Sequence, residues 1–395
     1  MAESDRSSSV PAPDRMPVLI VTMGTDYVAP ARMPRELARA GFAVTVLAPA
    51  GALATKTAHA EAIATFPRHA SVYEWMHVVA GAARRAASRL VLPGDDVTLR
   101  LLMQLVLERP AELQTHAMVG FAALVARSLG DPTHYVASID KSALVRLALA
   151  LGIPVPPGEA VDDEPDAVRA AAALGYPVIV RPAVGTASAG VARCHDEVAV
   201  RHAMRNLPRL SGWRPAGGHR VLVQRLLTGR PANHPAVAWR GRELAGFTRM
   251  ALRQHPEGGP GSVSRYAPHP QIAAANARLI EALGLTGFAS TEYLIDDTTG
   301  VAHLIEINRR MTPATHTGAC VGVDLAAALA AACANRPWEG PTDIPAGVDQ
   351  TLALFPQEWL RDAGSSQLAD RPTDAPWDDP LLFASMLKLG QGLGP

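Results

Sequence analysis

Cysteine is scarce in this chain. Its three residues, Cys194, Cys320 and Cys333, fit neither a disulfide framework nor a metal-binding spacing. A reducing, cytoplasmic compartment is the expectation that follows. Aromatic residues are sparse as well, at 5%, so helix faces must pack through small side chains. No run of about 18 apolar residues occurs, which argues against a membrane-spanning helix. Charge of one sign is also missing, because 37 basic residues balance 37 acidic ones. The chain therefore lacks a polybasic footprint for nucleic acid or for a membrane surface, and neither is expected as a partner. Residues 1–15 lack the apolar core of a signal peptide and read as a disordered Ser/Pro-rich tail. No internal repeat is evident.

What remains is an ordinary globular composition, 48% hydrophobic and 19% charged over 395 residues, enough for two or three domains with real cores. PVLIVTMG (17–24), a helix ending before Gly41, and FAVTVLA (42–48) make a β-α-β unit, whose natural packing is a parallel sheet. An N-terminal α/β domain is expected over 16–125. Arg89–Leu92 reads as a short strand turning through Pro93-Gly94-Asp95-Asp96 into a helix over 97–108. Ligands collect at such turns in open α/β sheets, so Asp95 is a candidate substrate contact; helix capping is the plainer alternative. Further on, Asp140-Lys141 opens a helix, and IPVPPG (153–158) is a rigid connection. A helix is expected over 161–175, strands at 176–182, 190–193 and 220–227, and a helix near 196–207. RQHPEGGPGS (253–262) reads as a mobile loop. A helix at 270–283 leads to two strands, 288–295 and 301–308, joined by a five-residue turn. After a helix over 322–335, residues 336–395 suggest a small appended subdomain.

The second strand of that hairpin carries the main chemical signal. Glu306 and Asn308 are two apart and share a face, while Ile305 and Ile307 are expected to point into the core. Pairing Ile295 with Val301 would set Glu292 opposite Leu304 and diagonal to Glu306. Two carboxylates and an amide on one sheet face are costly unless a cation sits between them. Magnesium suits this donor set when substrate phosphates complete its shell. A solvated face, with the glutamates paired to Arg309 and Arg310, is the alternative.

GYPVIVRPAVGTASAGV (175–191) is the second signal. A strand delivers Arg181 at its end, and a run of small residues follows. Gly185 and its neighbours would let backbone N–H groups approach an anion, with Thr186 and Ser188 adding hydroxyl donors. A guanidinium fork at Arg181 matches phosphate oxygens. The pattern is not a Walker loop, since no Gly-Lys-Ser/Thr follows, and a plain turn would show similar residues.

These pieces, in this order, resemble the ATP-grasp superfamily, nearest to its carbamoyl-phosphate synthetase and biotin carboxylase branch and to the amino-acid ligases. The resemblance spans roughly residues 135–325. It rests on Asp140-Lys141, GYPVIVRP, VLVQRLLTG (221–229), GFASTEYLID (287–296) and LIEINRR (304–310). It implies an α/β (α+β) architecture with a Rossmann-like pre-ATP-grasp domain. A two-subdomain ATP-grasp domain over 126–335 would follow, its mobile lid at about 153–222. By resemblance, Glu292, Glu306 and Asn308 hold magnesium. Lys141 and Arg181 meet the ATP phosphates, and Arg310 stabilises an acyl phosphate. Gln224, Leu226 and Leu227 would line the adenine through backbone groups. The hinge departs from the common pattern at Gln224-Arg225 and at Pro231, which leaves ribose recognition open. His316, in the loop after Arg310, is a second candidate substrate contact.

The activity implied is ATP- and magnesium-dependent activation of a carboxylate, then coupling to an amine, both small molecules. An acyl- or carbamoyl-phosphate-forming kinase and an inactive nucleotide-binding protein are the alternatives. A homodimer is compatible with such a fold, though no residue points to it.

Overall fold

The computed structural model describes residues 15–67, 71–108, 115–185, 190–207, 220–256 and 258–389. The tail before residue 15, the Gly/Pro-rich stretch 211–219, and Thr186 and Ser188 lie outside the described residues.

The first unit is a β-α repeat. It contains β1 (Met16–Val21), α1 (Ala29–Arg39), β2 (Phe42–Pro49), β3 (Ala62–Phe66), α2 (Val72–Arg85), β4 (Leu90–Pro93), α3 (Asp96–Glu108) and α4 (His116–Leu129). The strands are parallel in the order β3-β2-β1-β4. Central β1 is covered on both faces, so Val18, Leu19, Ile20 and Val21 are all buried, as a continuous apolar run demands. α2 starts on a capping box between Ser71 and Glu74. Gly94 follows β4 because nothing larger fits: a Cβ there would lie 2.9 Å from Thr22 Cβ and 3.0 Å from Val21 O. That close approach sets the end of β4 against the end of β1 and aims α3 at the cleft beyond.

The second unit is small. α5 (Lys141–Ala150) leads to β5 (Gly158–Val161), α6 (Glu164–Leu174), β6 (Val178–Pro182), β7 (Ala192–Cys194), α7 (Glu197–Arg205) and β8 (Val221–Arg225). Its four strands are antiparallel in the order β5-β8-β6-β7. Ala170 of α6 and Val200 of α7 share a core with Val178, Val180 and Val223. The helix expected from 161 begins at Glu164, because β5 claims Gly158–Val161 and Asp163 caps the helix by accepting from Asp166 N.

The third unit is a seven-stranded sheet. It comprises β9 (Gly229–Trp239), β10 (Arg242–Gly246), β11 (Arg249–Gln254), β12 (Gly261–Tyr266), α8 (Pro270–Ala282), β13 (Gly287–Asp296), β14 (Ala302–Asn308), α9 (Leu325–Cys333) and β15 (Gln350–Ala353). The order is β14-β13-β9-β11-β12-β15, with β10 on β9. The segment expected as a mobile loop at 253–262 is the turn of the β11–β12 hairpin, with strand at both ends; residue 257 lies outside the described residues.

The last sixty residues do not stand apart as a subdomain. β15 extends the large sheet by pairing with β12. α10 (Gln357–Arg361), α11 (Ser366–Asp370) and α12 (Pro380–Lys388) follow. Leu382 and Met386 of α12 enter the same core as Val18 and Val46 of the parallel sheet. Apolar positions at helical spacing in this segment had no separate core to fill, so they complete an existing one. Among the described residues no single helix is long and apolar enough to cross a membrane.

Candidate functional site

The acidic hairpin forms in a register shifted from expectation. Ile295 pairs with Ala302 and Tyr293 with Leu304, and the ladder then slips so that Glu292 faces Glu306 and Ser290 faces Asn308. The extra residue is Ile305, a bulge that lets two positions of β14 oppose one of β13. Glu292 is therefore directly opposite Glu306, not Leu304, and the two carboxylates are cross-strand neighbours. The bulge also takes Ile305 out of the core. Its side chain is half-buried, and its carbonyl accepts from Arg181 Nη2 at 3.1 Å. Ile307 packs into the core as alternation requires.

Four cations or amides gather around the carboxylates. Asn308 Nδ2 donates to Glu292 Oε1 at 3.0 Å. Lys141 Nζ lies 3.3 Å from Glu306 Oε2 and donates to Gly185 O at 3.1 Å. The Asp140 carboxylate fixes Lys141 by capping α5 through Ser142 N (2.8 Å) and Ala143 N (3.3 Å). Lys141 N also donates to Ala183 O at 2.8 Å, tying α5 to the end of β6. Arg310 forms a fork with Asp96, Nε to Oδ1 at 2.6 Å and Nη2 to Oδ2 at 2.7 Å. It also donates to the Tyr27 hydroxyl, and to Asn308 Oδ1 at 3.1 Å. Arg181 is buried, and its Nε has no partner.

The charges are not balanced by pairing alone. Burial, and after it the facing Glu306, pushes the Glu292 carboxyl up to about 7 against the opposing pull of Arg310, Arg249 and Lys141. Burial lowers Arg181. Burial also acts to lower Arg310, but Asp96 and Tyr27 outweigh it and hold the guanidinium firmly protonated. A proton shared with Glu292 marks a place where a bound cation would replace it. Among the described residues no three His, Cys, Asp or Glu side chains cluster as metal ligands. Two carboxylates and one amide oxygen are an incomplete shell, of the kind that a hard cation fills with phosphate oxygens and water. A small open cleft lies beside them, lined by Asp96, Arg100, Lys141, Gly185, Glu306 and Asn308 among others.

The remaining candidates lie elsewhere. Asp95 is not offered to a ligand. Its carboxylate accepts from Thr22 Oγ1 (2.7 Å), Met23 N (2.5 Å), Gly24 N (3.1 Å) and Thr98 N (2.8 Å), so it caps α3 and pins the loop after β1. The next residue, Asp96, is the one that reaches the site. His316 is buried with its Nε2 2.7 Å from Asp374 Oδ2. Asp374 also accepts from Phe355 N at 2.6 Å and lies 3.8 Å from Arg32 Nη1. That is a core triad joining α1 to the C-terminal segment, not an open pocket wall. Gln224 is buried between β5 and β6, with Nε2 donating to Pro156 O at 3.3 Å. Leu226 N donates to Pro177 O at 3.2 Å, and Leu227 is half-buried in the connection to β9. Sequence reasoning missed the site's Tyr27, Arg100 and Arg249. Nothing local marks them, although the Asp95-Asp96 pair flagged the right turn.

Residues 140–231 match the family model "Carbamoyl-phosphate synthase L chain, ATP binding domain". A protein of Emericella nidulans named "Putative urea carboxylase" is 26% identical over 194 residues, which cover 45% of this chain and only 15% of that protein. Among solved structures, biotin carboxylase from Campylobacter jejuni aligns with a TM-score of 0.64 at 16% identity, covering 85% of this chain and 74% of that one. An L-amino acid ligase from Bacillus licheniformis aligns at 0.56 and 16%, covering 80% and 74%. The biotin carboxylase domain of Hydrogenobacter thermophilus 2-oxoglutarate carboxylase, solved with MgADP and bicarbonate, aligns at 0.61 and 14%, covering 82% and 71%. The chain thus carries a segment similar to that ATP-binding domain, 140–231, inside a fold shared with biotin carboxylases and an L-amino acid ligase.

Proposed function

We propose that this chain is an ADP-forming ligase that uses ATP and magnesium to activate a small-molecule carboxylate as an acyl phosphate and couple it to an amine. The observation that carries this reading is the facing pair Glu292 and Glu306, with Asn308 alongside, ringed by Lys141, Arg181 and Arg310. Glu292, Glu306 and Asn308 would hold the magnesium, which when bound offsets charge on the phosphate oxygens. The relatives' printed names, a biotin carboxylase and an L-amino acid ligase, support the ligase class without indicating the substrate.

The residues around the cleft suit phosphoryl transfer to a carboxylate. Lys141 and Arg181 would neutralise negative charge as a carboxylate oxygen attacks the terminal phosphorus and ADP leaves. Lys141 is held at the start of α5, with its Nζ beside Glu306 and Gly185 O. Arg310 projects a guanidinium beside Asn308, where an acyl phosphate would be steadied until an amine attacks its carbonyl carbon and expels phosphate. The acyl phosphate must meet little water meanwhile. The small antiparallel sheet, joined to the large one through residues 226–228, is the part proposed to close as a lid.

The test measures ADP release with MgATP over a panel of carboxylates and amines, using hydroxylamine to trap any acyl phosphate as a hydroxamate. Glu306→Ala should abolish both signals. If that variant ligates near the wild-type rate, the reading is wrong.

A further inference from the structure

Among the described residues, the cleft contains one cation that no side chain or carbonyl pairs with. Arg100 lies on α3, four residues after Asp96 and therefore on the same helix face. It lines the cleft together with Lys141, Gly185, Glu306 and Asn308, and is only 8% exposed. The other cations there are engaged. Lys141 meets Glu306, Arg181 donates to Ile305 O, Arg249 donates to Ser264 Oγ at 2.9 Å, and Arg310 is forked on Asp96. Arg100 makes no hydrogen bond or ion pair among the described residues. Asp96, the acid best spaced to reach it, already has both oxygens taken by Arg310. No Arg100 nitrogen is among the fully buried atoms that lack a partner, so its stem is buried while its donors open to the cleft, where water or a ligand oxygen can accept from them.

We propose that Arg100 receives a substrate carboxylate in this cleft, as a recognition residue contributed by the parallel-sheet unit. The proposal rests on the ligase reading above. Lys141 and Gly185 come from α5 and the segment after β6, the parts assigned to nucleotide phosphates, whereas α3 belongs to a different unit. The substrate side is the side left without an assigned anion-binding group. Arg310 cannot serve first, because Asp96 occupies its fork in the ligand-free protein. Arg100 has a planar fork with free donors, which matches a carboxylate in two-point contact.

The experiment uses the full chain and thermal melting at constant ionic strength. Acetate, succinate and L-glutamate serve as carboxylate probes, inorganic phosphate is titrated in parallel, and each is added to protein with MgADP. At least one carboxylate should stabilise the wild type. Arg100→Met should weaken that apparent affinity by about ten- to a hundredfold while leaving the MgADP response unchanged. Arg100→Lys should recover part of it, since charge returns without the fork. Without ligand, Arg100→Met should melt no lower than wild type, because no partner is lost.

The proposal is overturned if none of the three carboxylates acts on the wild type, or if Arg100→Met responds as wild type does. It also fails if the variant loses the phosphate or MgADP response instead, which would assign Arg100 to the nucleotide. A marked fall in ligand-free melting would make Arg100 structural and sink the idea equally. Failure of wild-type protein to bind MgADP would overturn the ligase reading itself, a result distinguishable from all of these.

Discussion

Replacing Glu292 by Gln should stabilise the ligand-free protein at alkaline pH and do nothing at acid pH. Burial and the facing Glu306 raise the Glu292 carboxyl from 4.5 to about 7. A carboxyl whose folded pKa exceeds its unfolded value contributes stability that is complete below the unfolded pKa. That stability is lost as pH rises through the folded one. The window is thus about pH 4.5 to 7, and stability from this group falls as pH rises. The shift is worth about 3 kcal/mol as a ceiling, since water in the cleft screens the pair. For a chain of this length melting as one unit, that is up to about 4 °C. Gln keeps the shape and never ionises. The melting temperature of Glu292→Gln minus that of wild type, measured in chelator across pH 5 to 9, should climb from near zero to a few degrees with its inflection near 7. Magnesium with ADP should reverse the sign at high pH by favouring the charged pair. A difference that is flat with pH, or negative at pH 8.5 in chelator, would refute the argument that these carboxylates repel one another in a shared, poorly solvated site.

Other variants separate chemistry from architecture. Arg310→Ala should lose turnover and also cost about 1–3 kcal/mol, because it leaves Asp96 without its partner. Adding Asp96→Asn should restore the melting temperature and not the turnover, a non-additivity readable in a double-mutant cycle. Asp374→Ala should lower stability by about 3–5 kcal/mol by stranding buried Arg32 and His316. Its MgADP affinity, measured by titration below the new melting temperature, should stay at the wild-type value. His316→Gln should leave ADP release intact, and a large loss of rate in that variant would return the residue to the substrate pocket.

Much of the site was legible because its chemistry is local in sequence. Alternation along β14 sets Glu306 and Asn308 two apart, an acidic cap followed by Lys141 marks a helix start, and a strand running into small residues brings Arg181 to its end. The β-α-β opening and the acidic hairpin follow from the same short-range rules. What those rules could not see is the register, which differs at the turn and again at an inserted residue. Pairing of Ile295 with Ala302 rather than Val301 shifted the register by one, and the bulge at Ile305 added a second residue, so Glu292 faces Glu306 and not Leu304.

Sequence alone thus determined the opening β-α-β unit, the acidic hairpin and the residue types able to meet a cation and phosphates, whereas β9–β12 and β15 of the large sheet came only with the structure. Tertiary structure alone decided that Asp96, not Asp95, reaches Arg310 across 214 positions. It also decided that His316 is sealed in a core triad and that Arg100, among the described residues, stands unpaired in the cleft. Backbone periodicity is written over a few residues and can be read from them. Which of two adjacent acids is consumed by its own helix, and which charge is left over, depends on packing between units distant in the chain, where no local pattern carries the information.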